Sequence, residues 1–125
     1  MLELLALACR QDDGGRRPAW LTGVLERLHD DPCTTLSLSE LAALAGVHPA
    51  HLARRFRQWQ GVSIGEYQRG LRIGLARDAL GDRRRSIADI AAAAGFTDQS
   101  HFARVFKRMV GDTPRGFRQK TQNAS

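Results

Sequence analysis

No apolar stretch in this chain reaches the ~18 residues that a bilayer-spanning helix needs, so no transmembrane helix is expected. Only two cysteines occur, Cys9 and Cys33, far apart and with neither a CxxC pair nor a secretory signal beside them. That usage fits ordinary thiols in a reducing cytoplasm rather than a disulfide framework. The four histidines, His29, His48, His51 and His101, do not combine with cysteine at metal-ligand spacing, so no metal is expected. A Gly-rich phosphate loop, a nucleophile elbow and paired carboxylates in a pocket are all missing, which leaves nothing that argues for catalysis or a cofactor. No convincing strand pattern appears either, and the chain reads as all-α.

What is present is one small domain's worth of globular sequence: 125 residues, 42% hydrophobic and 26% charged. The net charge of +6 conceals an asymmetry. Residues 1–47 carry four Arg against seven acids, whereas residues 48–125 carry fifteen Lys or Arg against six acids. The second part therefore favours a polyanionic partner, with a merely solvated basic face as the alternative.

The stretch from Leu38 to Tyr67 recurs between Ile87 and Phe117, LSELAALAGVHPAHLARRFRQWQGVSIGEY above IADIAAAAGFTDQSHFARVFKRMVGDTPRGF. The offset is 49 residues at Gly46 and Gly95 and 50 at Phe56 and Phe106, so the second copy carries one inserted residue.

Local signals divide the chain into about seven helices. Residues 1–11 read as a short apolar helix, and DDGGRRP after it as a flexible tether, giving an N-terminal segment 1–18. Trp20, Leu21, Val24, Leu25 and Leu28 mark an amphipathic helix ending before Asp30. Ser37 and Glu40 have capping-box spacing for a helix from Leu38 to Ala45, with Leu41, Leu44 and Ala45 on its apolar side and Gly46 as its stop. Pro49 opens the next helix, to about Gln60, with Leu52, Phe56 and Trp59 inward. Ile64 to Leu80 reads as a connecting helix of roughly 25 Å, with Tyr67, Leu71, Leu75 and Ala79 as its stripe. Its Gly70 and Gly74 have no firm account beyond close packing or a soft connector, at a cost of about 1 kcal/mol each. In the second copy Ser86 and Asp89 start a helix from Ile87 to Ala94, and Gly95 makes the turn. Thr97 is expected to cap a helix from Asp98 to Val110, lined inside by Phe102, Val105, Phe106 and Met109. Pro114 opens a last helix to Gln119, followed by a frayed tail, 121–125. The expected organisation is thus a first subdomain over 19–66, a connector over 64–80 and a second subdomain over 81–120.

Helix-turn-helix packing needs a small residue where the helices cross, a Gly in the turn, and an apolar stripe backing a polar outer face. Ala42 and Gly46 supply the first two in copy one, Ala91 and Gly95 in copy two. A single such pair is a weak signal, whereas two in register are a strong one. The segment containing Ile90, Ala91, Gly95, Phe96, Ser100, Phe102, Arg104, Phe106, Lys107, Gly111, Thr113, Pro114, Phe117 and Arg118 resembles the C-terminal signature of the AraC/XylS family of bacterial transcription regulators. The resemblance covers about residues 20–120. It implies a seven-helix DNA-binding domain whose two recognition helices enter successive major-groove segments of promoter DNA, about 34 Å apart.

With the inward stripes fixed, the first reader presents Ala50, His51, Ala53, Arg54 and Arg57, and the second Gln99, Ser100, Ala103, Arg104 and Lys107. Base contacts are expected from Ala50, His51, Ala53, Arg54, Gln99, Ser100, Ala103 and Arg104, since Arg can bond guanine bidentately, Gln adenine, and a methyl can meet thymine. Phosphate contacts are expected from Arg57, Lys107 and Arg118 and from the amides near Leu38 and Ile87 at helix starts. Arg83, Arg84 and Arg85 form a basic loop, either solvated or on DNA. Two positions depart from the family pattern: Arg55 must snorkel or pair locally, and His48 stands where a Ser-type cap is usual, its ring exposed or turned toward DNA. The functional expectation is a sequence-specific transcription regulator, acting as an activator in the nucleoid-associated cytoplasm with RNA polymerase as a partner. Dimerisation is expected only through a longer N-terminal domain, of which residues 1–11 resemble the last helix. The alternative is a basic helical module that meets RNA polymerase or another acidic partner without reading DNA.

Overall fold

A computed structural model describes residues 16–34 and 36–123, and the expected helix and tether at the N-terminus lie outside that range apart from residues 16–18. Among the described residues there are seven helices and no strand: α1 (Ala19–Asp30), α2 (Leu38–Ala45), α3 (Pro49–Gln60), α4 (Ile64–Ala79), α5 (Ile87–Ala93), α6 (Gln99–Val110) and α7 (Pro114–Asn123). None of them is long and apolar enough to cross a membrane. The described residues divide into two compact units, 16–27 with 36–63 and 28–34 with 64–123.

In the first unit, α2 is bounded by the signals its sequence carries. Ser37 Oγ accepts from the Glu40 amide (3.0 Å) and Glu40 Oε1 accepts from the Ser37 amide (2.9 Å), so both halves of the capping box are made. Gly46 ends the helix at φ +73°, a left-handed conformation that is cheapest without a Cβ. Leu41 and Ala42 of α2 are buried, as are Leu52 and Phe56 of α3 and Leu21 and Val24 of α1. Two residues expected inside are not: Leu44 is 60% exposed and Trp59 36% exposed. The small Ala42, rather than Leu44, occupies the buried face. Arg55 pairs locally, donating to Gln58 Oε1 (2.9 Å) and the Arg16 carbonyl (3.0 Å).

The second unit is built around Phe102 and Phe106 of α6, both fully buried, with Ile90 and Ala91 of α5 and Ile73, Ala76 and Leu80 from α4 and its end. The helix expected as a connector therefore supplies part of this core. Its expected stripe is misplaced: Leu75 is 47% exposed, and the buried residues of α4 are Gln68, Ile73 and Ala76. A Cβ at Gly70 or Gly74 would meet nothing within 4 Å, so close packing does not explain either glycine. The turn glycine is different. Gly95 has φ +92°, and a Cβ there would lie 3.1 Å from the Cys33 carbonyl oxygen. The loop before α2 thus presses on the turn of the second copy. It is held there by Arg72 Nε donating to the Pro32 carbonyl (2.8 Å) and Cys33 Sγ donating to the Ala93 carbonyl (3.1 Å).

The start of α6 and the end of the chain also differ from expectation. Asp98, not Thr97, is the cap, its Oδ1 accepting from the Ser100 amide at 2.8 Å, and the helix begins at Gln99. A carboxylate at this point additionally complements the positive end of the helix dipole. The last helix runs four residues past Gln119, to Asn123, and Lys120 bridges to Asp112 (2.9 Å), which ties its second turn to the preceding loop.

Glu66 near the start of α4 accepts from Arg108 of α6 through both carboxylate oxygens (2.7 and 3.3 Å) and from Arg69 (3.0 Å). Those bonds, Arg108's first and Arg69's second, bring the Glu66 carboxyl down to about 2. Because the folded value lies below the ordinary 4.5, the stabilisation is complete above about pH 4.5 and disappears as pH falls through 2. The acid-induced loss of stability between those limits should be smaller in Glu66→Gln than in the parent chain, as read from thermal melts at stepped pH. An equal acid sensitivity in both would show that the bridge contributes nothing.

Candidate nucleic-acid interface

Each scaffold helix is followed by a turn and then by a twelve-residue helix with an outward polar face, α3 in the first unit and α6 in the second. On α3, Ala50, Arg54 and Arg57 are exposed, while His51 and Ala53 are half-buried. On α6, Gln99, Ser100, Arg104 and Lys107 are exposed and Ala103 is half-buried. All ten outward residues expected from the stripes therefore keep some access to solvent, and within each unit they lie on one helix.

Proline at the first position of α3 removes an amide that would have no intrahelical partner, and the cap before it is His48. Its Nδ1 accepts from the Ala50 amide at 3.1 Å. Through that nitrogen the ring does the work of the missing Ser, and the residue remains exposed. His51, one turn on, packs edge-on against Trp20 of α1, ring centroids 6.3 Å apart. Partial burial, then the charges of Arg54 and Arg55, holds its imidazole below the ordinary 6.5. The Arg54 guanidinium lies 3.4 Å from His51 Nδ1. Since guanidinium can only donate, Nδ1 is the acceptor there and the proton of the neutral ring sits on Nε2. His51 then offers one N–H donor, which suits an acceptor such as N7 or O6 of guanine.

Fifty residues later, His101 occupies the same register on α6, exposed and edge-on to Phe96 at 5.7 Å. His101 lies outside the outward set that the stripes define, although the offset that pairs Phe56 with Phe106 also pairs His51 with His101.

The helix starts at Leu38 and Ile87 are capped by Ser37 and Ser86, whose hydroxyls take the third amide of each helix, Glu40 and Asp89. First-turn amides are without intrahelical acceptors by construction. In the basic loop, Arg84 is paired with Asp82 (3.1 Å).

Arg118, expected on a phosphate, is half-buried, and through Nε and Nη2 its guanidinium donates to three backbone carbonyls, Leu80 (3.1 Å), Asp82 (3.2 Å) and Arg85 (2.7 Å). It closes the loop leading into α5. Its equivalent fifty residues earlier is Gln68, only 6% exposed, whose amide donates at 3.5 Å to the Thr34 carbonyl in the loop before α2. The repeat extends to this tether, with a neutral amide in one copy and a cation in the other.

The geometry defines a pair of helix-turn-helix motifs, and residues 41–120 match the family model described as a helix-turn-helix domain. The chain is 37% identical over 108 residues to the transcriptional regulator GlxA of Rhizobium meliloti, covering 86% of this chain and 33% of that one. It is 34% identical over 100 residues to the probable transcription factor PqrA of Proteus vulgaris, covering 80% and 78%. Among solved structures, an AraC-type DNA-binding domain regulator from Chromobacterium violaceum superposes with a TM-score of 0.75 at 29% identity, covering 82% of this chain and 91% of that one. This chain belongs to the AraC/XylS family of helix-turn-helix transcriptional regulators. It spans about a third of the length of the Rhizobium relative and most of the Proteus one.

Proposed function

We propose that the chain is the DNA-reading part of a transcription activator, placing α3 and α6 in successive major-groove segments of promoter DNA. The observation that carries this is the repeat itself: the scaffold positions match between copies, as do the outward His51, Ala53 and Arg54 with His101, Ala103 and Arg104, while Pro49 and Ala50 stand against Gln99 and Ser100 and Arg57 against Lys107. A single chain whose two readers share these residues but differ in their first turns selects two related, non-identical half-sites. Base contacts are assigned to Ala50, His51, Ala53, Arg54, Gln99, Ser100, Ala103 and Arg104, and phosphate contacts to Arg57, Lys107 and the amides of Leu38 and Ile87. RNA polymerase is the partner through which an activator of this kind would work, and a second copy joins only through a further domain.

The test is a fluorescence-anisotropy titration on promoter duplex against random duplex. A protein holding many phosphates loses orders of magnitude in affinity between about 50 and 200 mM salt, and a flat response would favour an acidic protein partner instead. Arg104→Ala should relax preference at one base pair, a loss of about 1–3 kcal/mol on the specific duplex only. Lys107→Ala should weaken both duplexes alike and lower the salt slope by about 0.9. Equal losses on both duplexes for both variants would mean that the reading and anchoring roles are wrongly assigned.

A further inference from the structure

Beside the start of α6 lies an open cleft of about 480 Å³, lined by Ser86 at the head of α5, Gln99 at the head of α6, and Arg115, Arg118, Gln119 and Gln122 of α7. Arg115, Gln119 and Gln122 follow a three- and four-residue spacing and so share one face of α7. None of the side chains lining the cleft is acidic. Its two cations differ in availability. Arg118 is fixed to three carbonyls, so it contributes charge but no free fork, while Arg115 is exposed.

We propose that this cleft seats a backbone phosphate of the duplex read by α6, with Arg115 as the direct contact and Gln119 and Gln122 as neutral donors beside it. Three features identify the ligand chemistry. Beside the apolar Ile87 and Ala88, the lining offers two cations and the amides of Gln99, Gln119 and Gln122, a donor set that suits a phosphodiester. Gln99, assigned to base reading, forms one wall, so a strand lying against the start of α6 passes the mouth of the cleft. The volume accommodates a sugar-phosphate segment, whereas a flat surface would give Arg115 only long-range attraction. Copy one has no counterpart, because the residue fifty positions before Arg115 is Gly65 and the one before Arg118 is Gln68. The second reader is therefore the more firmly anchored of the two.

This inference rests on the DNA-binding reading, and one experiment separates their failures. Anisotropy titrations across a salt series compare the parent chain with Arg115→Ala, Arg115→Gln and Arg115→Lys on promoter and random duplexes, each variant being first melted. Loss of one phosphate contact should lower the slope of log affinity against log salt by about 0.9, roughly fivefold in affinity near 0.15 M. That loss is expected for the Ala and Gln variants on both duplexes, with the Lys variant close to the parent and all melting temperatures unchanged. A steep slope in the parent that survives intact in Arg115→Ala and Arg115→Gln overturns the cleft as a phosphate seat and leaves the DNA reading standing. A parent chain with no salt-dependent binding overturns both. A lowered melting temperature with equal weakening in Arg115→Lys would mark a structural residue and also overturn the proposal.

Discussion

Phe106→Ala is expected to cost about 3–5 kcal/mol of stability, the range for emptying a fully buried aromatic site. Phe106 has no exposed surface, and its ring meets those of Phe102 and Phe117, both at 5.7 Å. It joins α6 to α7 from inside, so the void cannot be filled by any single neighbour moving. Its loss removes the backing of the second reader as well as buried area, and set against a total stability of about 5–15 kcal/mol that is a large fraction. Urea unfolding followed by circular dichroism should show a lower midpoint with an unchanged slope. A loss below about 1 kcal/mol would mean that the surrounding rings collapse onto the site and that the core is less constrained than its contacts indicate. Affinity for DNA should fall in proportion to the unfolded fraction, and recover at low temperature if the effect is purely on stability.

The second large effect is expected at Arg118. Replacing it with Met keeps much of the aliphatic stem but leaves the carbonyls of Leu80, Asp82 and Arg85 without their donor. A hydrogen bond to a charged group contributes about 1.5–3 kcal/mol where water is excluded. Here the side chain is half-buried, and water can reach part of the site, so a total near 2 kcal/mol is expected. Lys should rescue little, because one ammonium cannot span three carbonyls that a planar guanidinium reaches at once. Chemical unfolding of the parent, Met and Lys chains measures this directly. If Arg118→Met retained full stability but lost about 0.9 from the salt slope, the residue would be a phosphate contact after all.

Arg118 also shows where sequence reasoning reaches its limit. An arginine in the last turns of a basic DNA-binding segment suggests phosphate, and only the fold brings the acceptors from a loop more than thirty residues earlier. Short-range signals were far more legible. Ser37 with Glu40, Gly46 and Pro49 place α2 and α3 at the residues observed, because each acts within one turn of the helix it bounds. The stripe of α4 failed for a geometric reason. Tyr67, Leu71, Leu75 and Ala79 advance four residues at a time, and with about 3.6 residues per turn each step rotates roughly 40° past a full turn. Ile73, Ala76 and Leu80 instead fall within about 60° of one another, on the side of the helix away from Tyr67 and Leu71, so the face the core uses is not the one the four-residue row marks, and Leu75 stays in solvent. The outer faces of α3 and α6 were legible because Leu52 with Phe56, and Phe102 with Phe106, each fix a face within one short helix. Arg115 was not, since its significance comes from sharing a cleft with Gln99, which no spacing along the chain reveals.

The tether that recurs at Gln68 and Arg118 gives the repeat natural cut points. Each copy begins at a loop and ends at the side chain that clasps that loop, so each reading helix lies between two fixed points. An exchange of only the outward residues of α3 and α6, with both clasps and both buried stripes left in place, would transplant a reading face without moving its mounting. The same organisation would let inheritance alter the preferred sequence of one half-site while the other, and the scaffold beneath both, stays as it was.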